Sequence, residues 1–135
     1  MAWQEPWQGS SFNKSTTTVR KYLYQLSNAG TVRLSQANDF LAKLGCKHLL
    51  EKRLSSLQPH EANTVRIVAS LSSTRELLMF DEPFSCFDSV QRTTLALLMA
   101  QQRSKAIVVT LNSKADLDLL SPNHHYCLDD IVISN

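Results

Sequence analysis

Leu77-Leu78-Met79-Phe80-Asp81-Glu82-Pro83-Phe84-Ser85-Cys86-Phe87-Asp88 is the stretch that decides how the rest of the chain is read. Four apolar residues closed by two carboxylates and a proline predict a short buried strand that ends abruptly. A parallel strand covered on both faces is apolar at every position rather than at alternate ones. The ends of such strands are where α/β folds place their chemistry. Adjacent Asp and Glu can divide the work there, one holding a hydrated Mg²⁺ and the other orienting a water. The plain alternative is a solvated Asp-Glu-Pro turn behind a core strand.

The continuation tips that balance. Asp81-Glu82-Pro83 followed by Ser85-Cys86-Phe87-Asp88 resembles the Walker B motif and D-loop of ATP-binding-cassette (ABC) ATPases, in which an apolar strand ends in Asp-Glu-Pro and a Ser-x-x-Asp turn follows. The resemblance implies an α/β fold, part of a P-loop NTPase-like domain, with a helical subdomain followed by a parallel β-α-β unit. It implies Asp81 as the Mg²⁺-side carboxylate, Glu82 as the general base, Asp88 as the D-loop aspartate and Ser85 as a contact at the nucleotide and dimer interface. The cofactors would be ATP and Mg²⁺.

Composition sets the outer limits. The 135 residues suit one domain, and a hydrophobic content of 43% is enough for a core. A formal net charge of +2 is too small to imply nucleic acid or a membrane surface as partner. Cys46, Cys86 and Cys127 are widely spaced and odd in number, which suggests neither a zinc site nor a disulfide framework and fits a reducing compartment. No run approaches the roughly 18 apolar residues of a membrane span. Met1 to Pro6 lacks the basic and apolar regions of a signal peptide. A cytoplasmic protein is expected, reaching the inner face of a membrane only through a partner.

Working outward, residues 1–18 read by themselves as an irregular N-terminal loop. Against the family, Trp3-Gln4-Glu5-Pro6 resembles a Q-loop, in which Gln4 would end a strand and meet the Mg²⁺ or the attacking water. Residues 19–61 would then be the helical subdomain and signature, and residues 62–135 the Walker B core with the C-terminal strands. Val19, Tyr22, Leu23 and Leu26 share one helical face, and Asn28-Ala29-Gly30 supplies the stop. Ser35 is the expected cap of a second helix that carries Phe40, Leu41 and Leu44 and ends at Gly45. A short helical piece follows near Cys46 to Lys52.

Leu54 to Glu61 lies where the family carries its Leu-Ser-Gly-Gly-Gln signature. By letter, Leu54-Ser55-Ser56-Leu57-Gln58 is the closer match. Connecting-helix length favours Leu57-Gln58-Pro59-His60-Glu61, with a helix from Ala62 to Ser73 behind it. The resemblance implies nucleotide or dimer contacts for Gln58, His60 and Glu61. Either register departs from the pattern, because glycines there let backbone N–H groups approach phosphate, whereas Pro59 has no N–H and His60 brings bulk.

Beyond the D-loop, Ser89 is the expected cap of an amphipathic helix from Val90 to Arg103, with Leu95, Leu98 and Met99 toward the sheet. Lys105 to Thr110 predicts the next strand, β-branched and apolar, in a right-handed parallel crossover. The family's switch histidine would follow Thr110, but Leu111 stands there. His124 and His125 come after a helix expected at Ala115 to Leu120, and read as loop or edge residues. Tyr126 to Leu128 and Ile131 to Ile133 fit two short terminal strands.

No GxxxxGK[ST] occurs in the sequence, and none of its three glycines precedes Lys-Ser or Lys-Thr. The loop that cradles phosphate is therefore missing, and the resemblance covers only the second half of a family domain. The expected function is a partial or degenerate ABC-type ATPase subunit that energises a transporter and needs a complementing P-loop half. Its partners would be a transporter membrane subunit or a second ABC half, with no nucleic acid and no direct membrane insertion, in a dimer or oligomer. The rival function is a non-catalytic interaction module built on the same fold. Without the first half, the strand at Lys105 to Thr110 is expected to be an open edge beside an uncovered apolar face.

Overall fold

A computed structural model describes residues 2–3 and 16–123. Its elements run β1 (Ala2–Trp3), α1 (Val19–Asn28), α2 (Leu34–Lys43), two 3₁₀ turns (Lys47–Glu51 and Leu54–Ser56), α3 (Pro59–Leu71), β2 (Leu77–Asp81), α4 (Ser89–Ala100), β3 (Ala106–Thr110) and α5 (Lys114–Leu120). The first helix starts where Thr18 Oγ1 accepts the Lys21 N–H at 3.2 Å, buries Val19 and Leu23, and stops before Gly30, whose φ of 76° suits a residue without Cβ. The backbone around Thr18 is pinned to the second 3₁₀ turn by Val19 N–H to the Lys52 carbonyl and Leu54 N–H to the Thr17 carbonyl.

Three helix starts differ from the sequence expectation. Ser35 does not cap α2. Val32 bridges Ser73 and the Arg33 N–H reaches the Ser72 carbonyl at 2.9 Å, so the backbone is already fixed and winds up from Leu34. The α3 helix begins at Pro59 rather than Ala62 and ends at Leu71. Proline costs nothing at the first helical position, where its missing N–H would have had no partner, and Glu61 Oε1 closes the turn by accepting the Gln58 N–H at 2.9 Å. The cap of α4 is Asp88, not Ser89: its Oδ1 accepts the Gln91 N–H at 2.8 Å, and Gln91 Oε1 accepts the Asp88 N–H at 3.2 Å in return.

The sheet has the order β1-β2-β3, all parallel. Ala2–Trp3 is thus a strand inside the segment read as a loop. In the β2/β3 register Leu78 faces Ile107 and Phe80 faces Val109, while Leu77, Met79 and Asp81 face Ala106, Val108 and Thr110. Because side chains alternate, these sets occupy opposite faces of the sheet. Leu78 and Phe80 are buried in the same core as Val65, Val68, Leu95, Leu98 and Met99, with Ile107 and Val109 packed against it. The core is continuous with Leu23, Leu41, Leu49 and Leu50, so the helical part and the sheet share one interior.

Among the described residues, nothing covers the other face. Leu77 and Met79 are only half-buried and Val108 is 49% exposed. The expectation that β2 is covered on both faces is therefore corrected: only alternate residues are buried. The reason lies in the direction of the chain. Moving from β1 to β2 to β3 by right-handed crossovers puts every connection on one side, and the second side needs a connection that runs back the other way. Among the described residues, β3 also pairs on one edge only.

Candidate functional site at the strand ends

The site lies where β2 and β3 stop. Asp81 is the last residue of β2, and Thr110, its register partner, is the last of β3. Glu82 follows at φ 45°, left-handed backbone that a non-glycine residue adopts only when held there. The holding groups belong to Thr110. The Glu82 N–H donates to both the Thr110 carbonyl and Thr110 Oγ1, each at 3.0 Å. The Thr110 hydroxyl donates in turn to Asp81 Oδ1. One threonine thus fixes the first carboxylate and the turn that presents the second.

The loop beyond is pinned from below. Pro83, Phe84 and Phe87 are buried. The Ser85 N–H reaches the Glu82 carbonyl at 3.3 Å and the Phe87 N–H reaches the Phe84 carbonyl at 3.1 Å. Arg92, one turn into α4, donates Nε–H to the Phe87 carbonyl at 2.9 Å and Nη1–H to Asp116 Oδ1 at 3.2 Å. Asp116 is 6% exposed, so its charge is neutralised inside the protein rather than left to water. Glu82, Phe84, Ser85, Arg92, Asn112 and Asp116 line a cavity of about 310 Å³. Ser85 and Cys86 stand at the exposed tip, where Asn63 Nδ2 of α3 comes to 3.9 Å from Cys86 Sγ.

The expected site residues fall into groups. Asp81, Glu82 and Ser85 cluster at the strand ends. Asp88 sits at the start of α4, where its carboxylate is engaged as a helix cap. Gln58 and His60 are exposed at the start of α3. Glu61, by contrast, is 8% exposed and committed to the Gln58 N–H and to Lys52 Nζ at 2.7 Å. The Lys52 and Gln58 bonds hold its carboxyl below the usual range. Cys46 lies nearby, its thiol pushed up by burial first and then by the charges of Glu61 and Asp88. Gln4, His124, His125 and Cys127 lie outside the described residues. Thr110, Arg92 and Asp116 were not singled out for the site by the sequence. Thr110 had a readable signal, a lone polar residue closing an apolar β-branched run, whereas the Arg92–Asp116 pair spans two helices and left none.

The donor set bears on which cation fits. Among the described residues no group of three His, Cys, Asp or Glu side chains is placed to hold a metal. Asp81 is exposed at a strand end, beside Glu82. Mg²⁺ is commonly bound through one or two carboxylates together with phosphate oxygens. One fixed carboxylate with a second alongside suits a cation that arrives with a nucleotide.

No protein-family model matches the chain. Solved structures do. A candidate cobalt transport ATP-binding protein superposes with a TM-score of 0.70 at 21% identity, over 87% of this chain and 44% of its own. The RNase-L inhibitor gives 0.68 at 20% identity, over 88% of this chain and 23% of its own. An ATP-binding cassette of an ABC transporter, in its ADP conformation, gives 0.54 at 13% identity, over 87% and 52% respectively. The chain therefore has the fold of part of an ABC ATP-binding domain, a parallel α/β sheet joined to a helical layer. It spans about half or less of the length of each of these structures. Among the described residues no helix is long and apolar enough to cross a membrane.

Proposed function

We propose that the chain works as the second half of an ABC-type ATP-binding domain and hydrolyses ATP only when a P-loop-bearing half completes it. The observation that carries this reading is the half-covered sheet. Leu77, Met79 and Val108 make one face apolar, yet nothing among the described residues buries it, and among them β3 is paired on one edge only. A strand added beside β3, followed by a helix packed across Leu77, Met79 and Val108, would satisfy both. A phosphate-binding loop joining that strand to that helix would then lie at the strand ends, next to Asp81 and Glu82.

In that assembly Asp81 holds the nucleotide's Mg²⁺, with Gln4 proposed as a second contact. The Mg²⁺ supplies charge neutralisation for the transferred phosphoryl group. Glu82 accepts a proton from the attacking water, its position set by the turn at φ 45°. Ser85, Asp88, Gln58 and His60 face the nucleotide or the neighbouring domain. Glu61 supports that surface by capping α3. The partner is a transporter membrane subunit or a second ABC subunit. Structures matched by the chain include a cobalt transport ATP-binding protein and an ABC transporter cassette, which is the support for the transporter.

The rival, a non-catalytic module that binds a membrane or ATPase partner, draws support from Leu111 in place of a histidine and from Pro59 inside α3. Calorimetry separates them. The chain alone should bind Mg-ATP no more tightly than the millimolar range. Mixing it with the separately expressed P-loop half of the matched cobalt transport protein should bring affinity to micromolar and start turnover. Micromolar binding by the chain alone would overturn the split-domain reading; a stable complex without turnover would favour the module.

A further inference from the structure

We propose that Thr110 is the positioning residue for the Asp81–Glu82 pair, acting through its hydroxyl and not through packing. This rests on the reading that Asp81 meets a nucleotide-borne cation. The hydrogen-bond directions at Thr110 follow from the partners. An ionised carboxylate can only accept and a backbone N–H can only donate, so the one hydroxyl proton goes to Asp81 Oδ1 and an oxygen lone pair receives the Glu82 N–H. The hydroxyl thus donates to one and accepts from the other of two consecutive residues at the neighbouring strand's end.

Threonine suits this task better than serine would. Its β-branch restricts χ1, so the strand backbone itself sets the direction of Oγ1. Thr110 is exposed, and its methyl adds little to the core. The Glu82 N–H is shared between the carbonyl and the hydroxyl of the same residue, both at 3.0 Å. Removing the hydroxyl leaves the carbonyl bond in place, so the turn should form but hold its two carboxylates less firmly. The end of β3 therefore acts on the end of β2 across a separation of 29 residues in the chain. Whatever pairs with the open edge of β3 can reach both carboxylates through this one side chain.

The test uses the full chain and Mn²⁺ alone as probe, read by paramagnetic broadening of assigned amide signals around Asp81. Wild type should show weak broadening centred there, and Asp81→Asn should lose it. Thr110→Val keeps the shape and the β-branch but lacks the hydroxyl. It should weaken Mn²⁺ binding about three- to tenfold, the worth of one hydrogen bond, and speed exchange of the Glu82 amide proton. Thr110→Ser should stay within about twofold of wild type on the same scale. If Thr110→Val fails to fold, Thr110→Ala takes its place in the comparison. Equal Mn²⁺ affinity in wild type and the hydroxyl-free variant would overturn the proposal while leaving Asp81 as a cation ligand. Absence of Asp81-centred broadening in wild type, with Glu82 exchange still sensitive to Thr110, would overturn the proposal that Thr110 positions a cation ligand and reduce it to a backbone staple.

Discussion

Val108→Lys is the sharpest probe of the open sheet. Val108 stands at the middle of β3 on the bare face, 49% exposed. Burying a valine side chain completely is worth roughly 1.5–3 kcal/mol, so about half of that, near 1 kcal/mol, is still available to a partner surface. In a symmetric pair two copies contribute, giving about 2 kcal/mol, and at 1.4 kcal/mol per decade the dimer should weaken about thirtyfold. A lysine on an edge strand adds repulsion between copies, as edge lysines do in native sheets. The monomer should barely notice, since an exposed substitution away from caps and networks changes stability by about 0.5 kcal/mol or less. Sedimentation velocity over a concentration series reads the first quantity, and urea unfolding at low concentration reads the second. Wild-type association in the variant would refute the reasoning. So would a wild-type monomer at high concentration whose amides exchange slowly along Ile107 to Val109, because some other strand would then already pair that edge.

Three further outcomes follow from the site. In a complemented assembly Glu82→Gln should cut turnover by about 10²–10⁴ while nucleotide binding is unchanged, measured by phosphate release beside calorimetry. Asp88→Ala removes the cap of α4 and should cost about 1 kcal/mol in thermal unfolding, with Asp88→Asn recovering most of it. For Glu61 the folded pKa lies below its ordinary 4.5, so its contribution is complete at neutral pH and lost as pH falls from about 4.5 through the folded value. Glu61→Gln should therefore flatten the acid limb of a stability-against-pH curve, by at most one proton's slope of about 1.4 kcal/mol per pH unit. An identical acid limb would show that the Lys52 and Gln58 bonds do not matter to folding.

Legibility in the sequence followed the range of the interactions. The strand at Leu77 to Phe80 and the turn at Asp81 to Asp88 were readable because their residues determine each other within one short stretch. The buried faces of α1 and α4 were readable because periodicity is local, and Val19, Leu23, Leu95, Leu98 and Met99 are all in the core. Helix starts were not. Ser35 looks like a better cap than Arg33, but the bridge between Val32 and Ser73 decides where α2 begins. Pro59 reads in the sequence only as a signature position without an N–H, and with Glu61 two residues later it is the first residue of a helix instead. Apolar residues at every position of β2 promised cover on both sides, which the described residues provide on one. The link from Thr110 to Asp81 depends on register between strands, and no local pattern encodes register.

The two halves of the proposed site ask for different things from a complement. The carboxylates need nothing from outside to take their places: Asp81, Glu82 and Thr110 are joined within this chain, and Phe84, Phe87 and Arg92 secure the loop behind them. The bare face and the open edge do need cover, and supplying it stabilises an assembly without any contact to the carboxylates. Binding of a complement and competence for chemistry are therefore separable in this protein. A complement that buried Val108 but carried no phosphate-binding loop would still dock, and would leave a formed but idle pair of acids. Thr110 belongs to both halves, since it ends the strand whose second edge is unpaired among the described residues and holds the carboxylates at its tip. A chain that has lost catalysis but kept its partner would have no use for that hydroxyl. Substitution at Thr110 should then leave complement binding untouched, whereas a working site should lose metal affinity first.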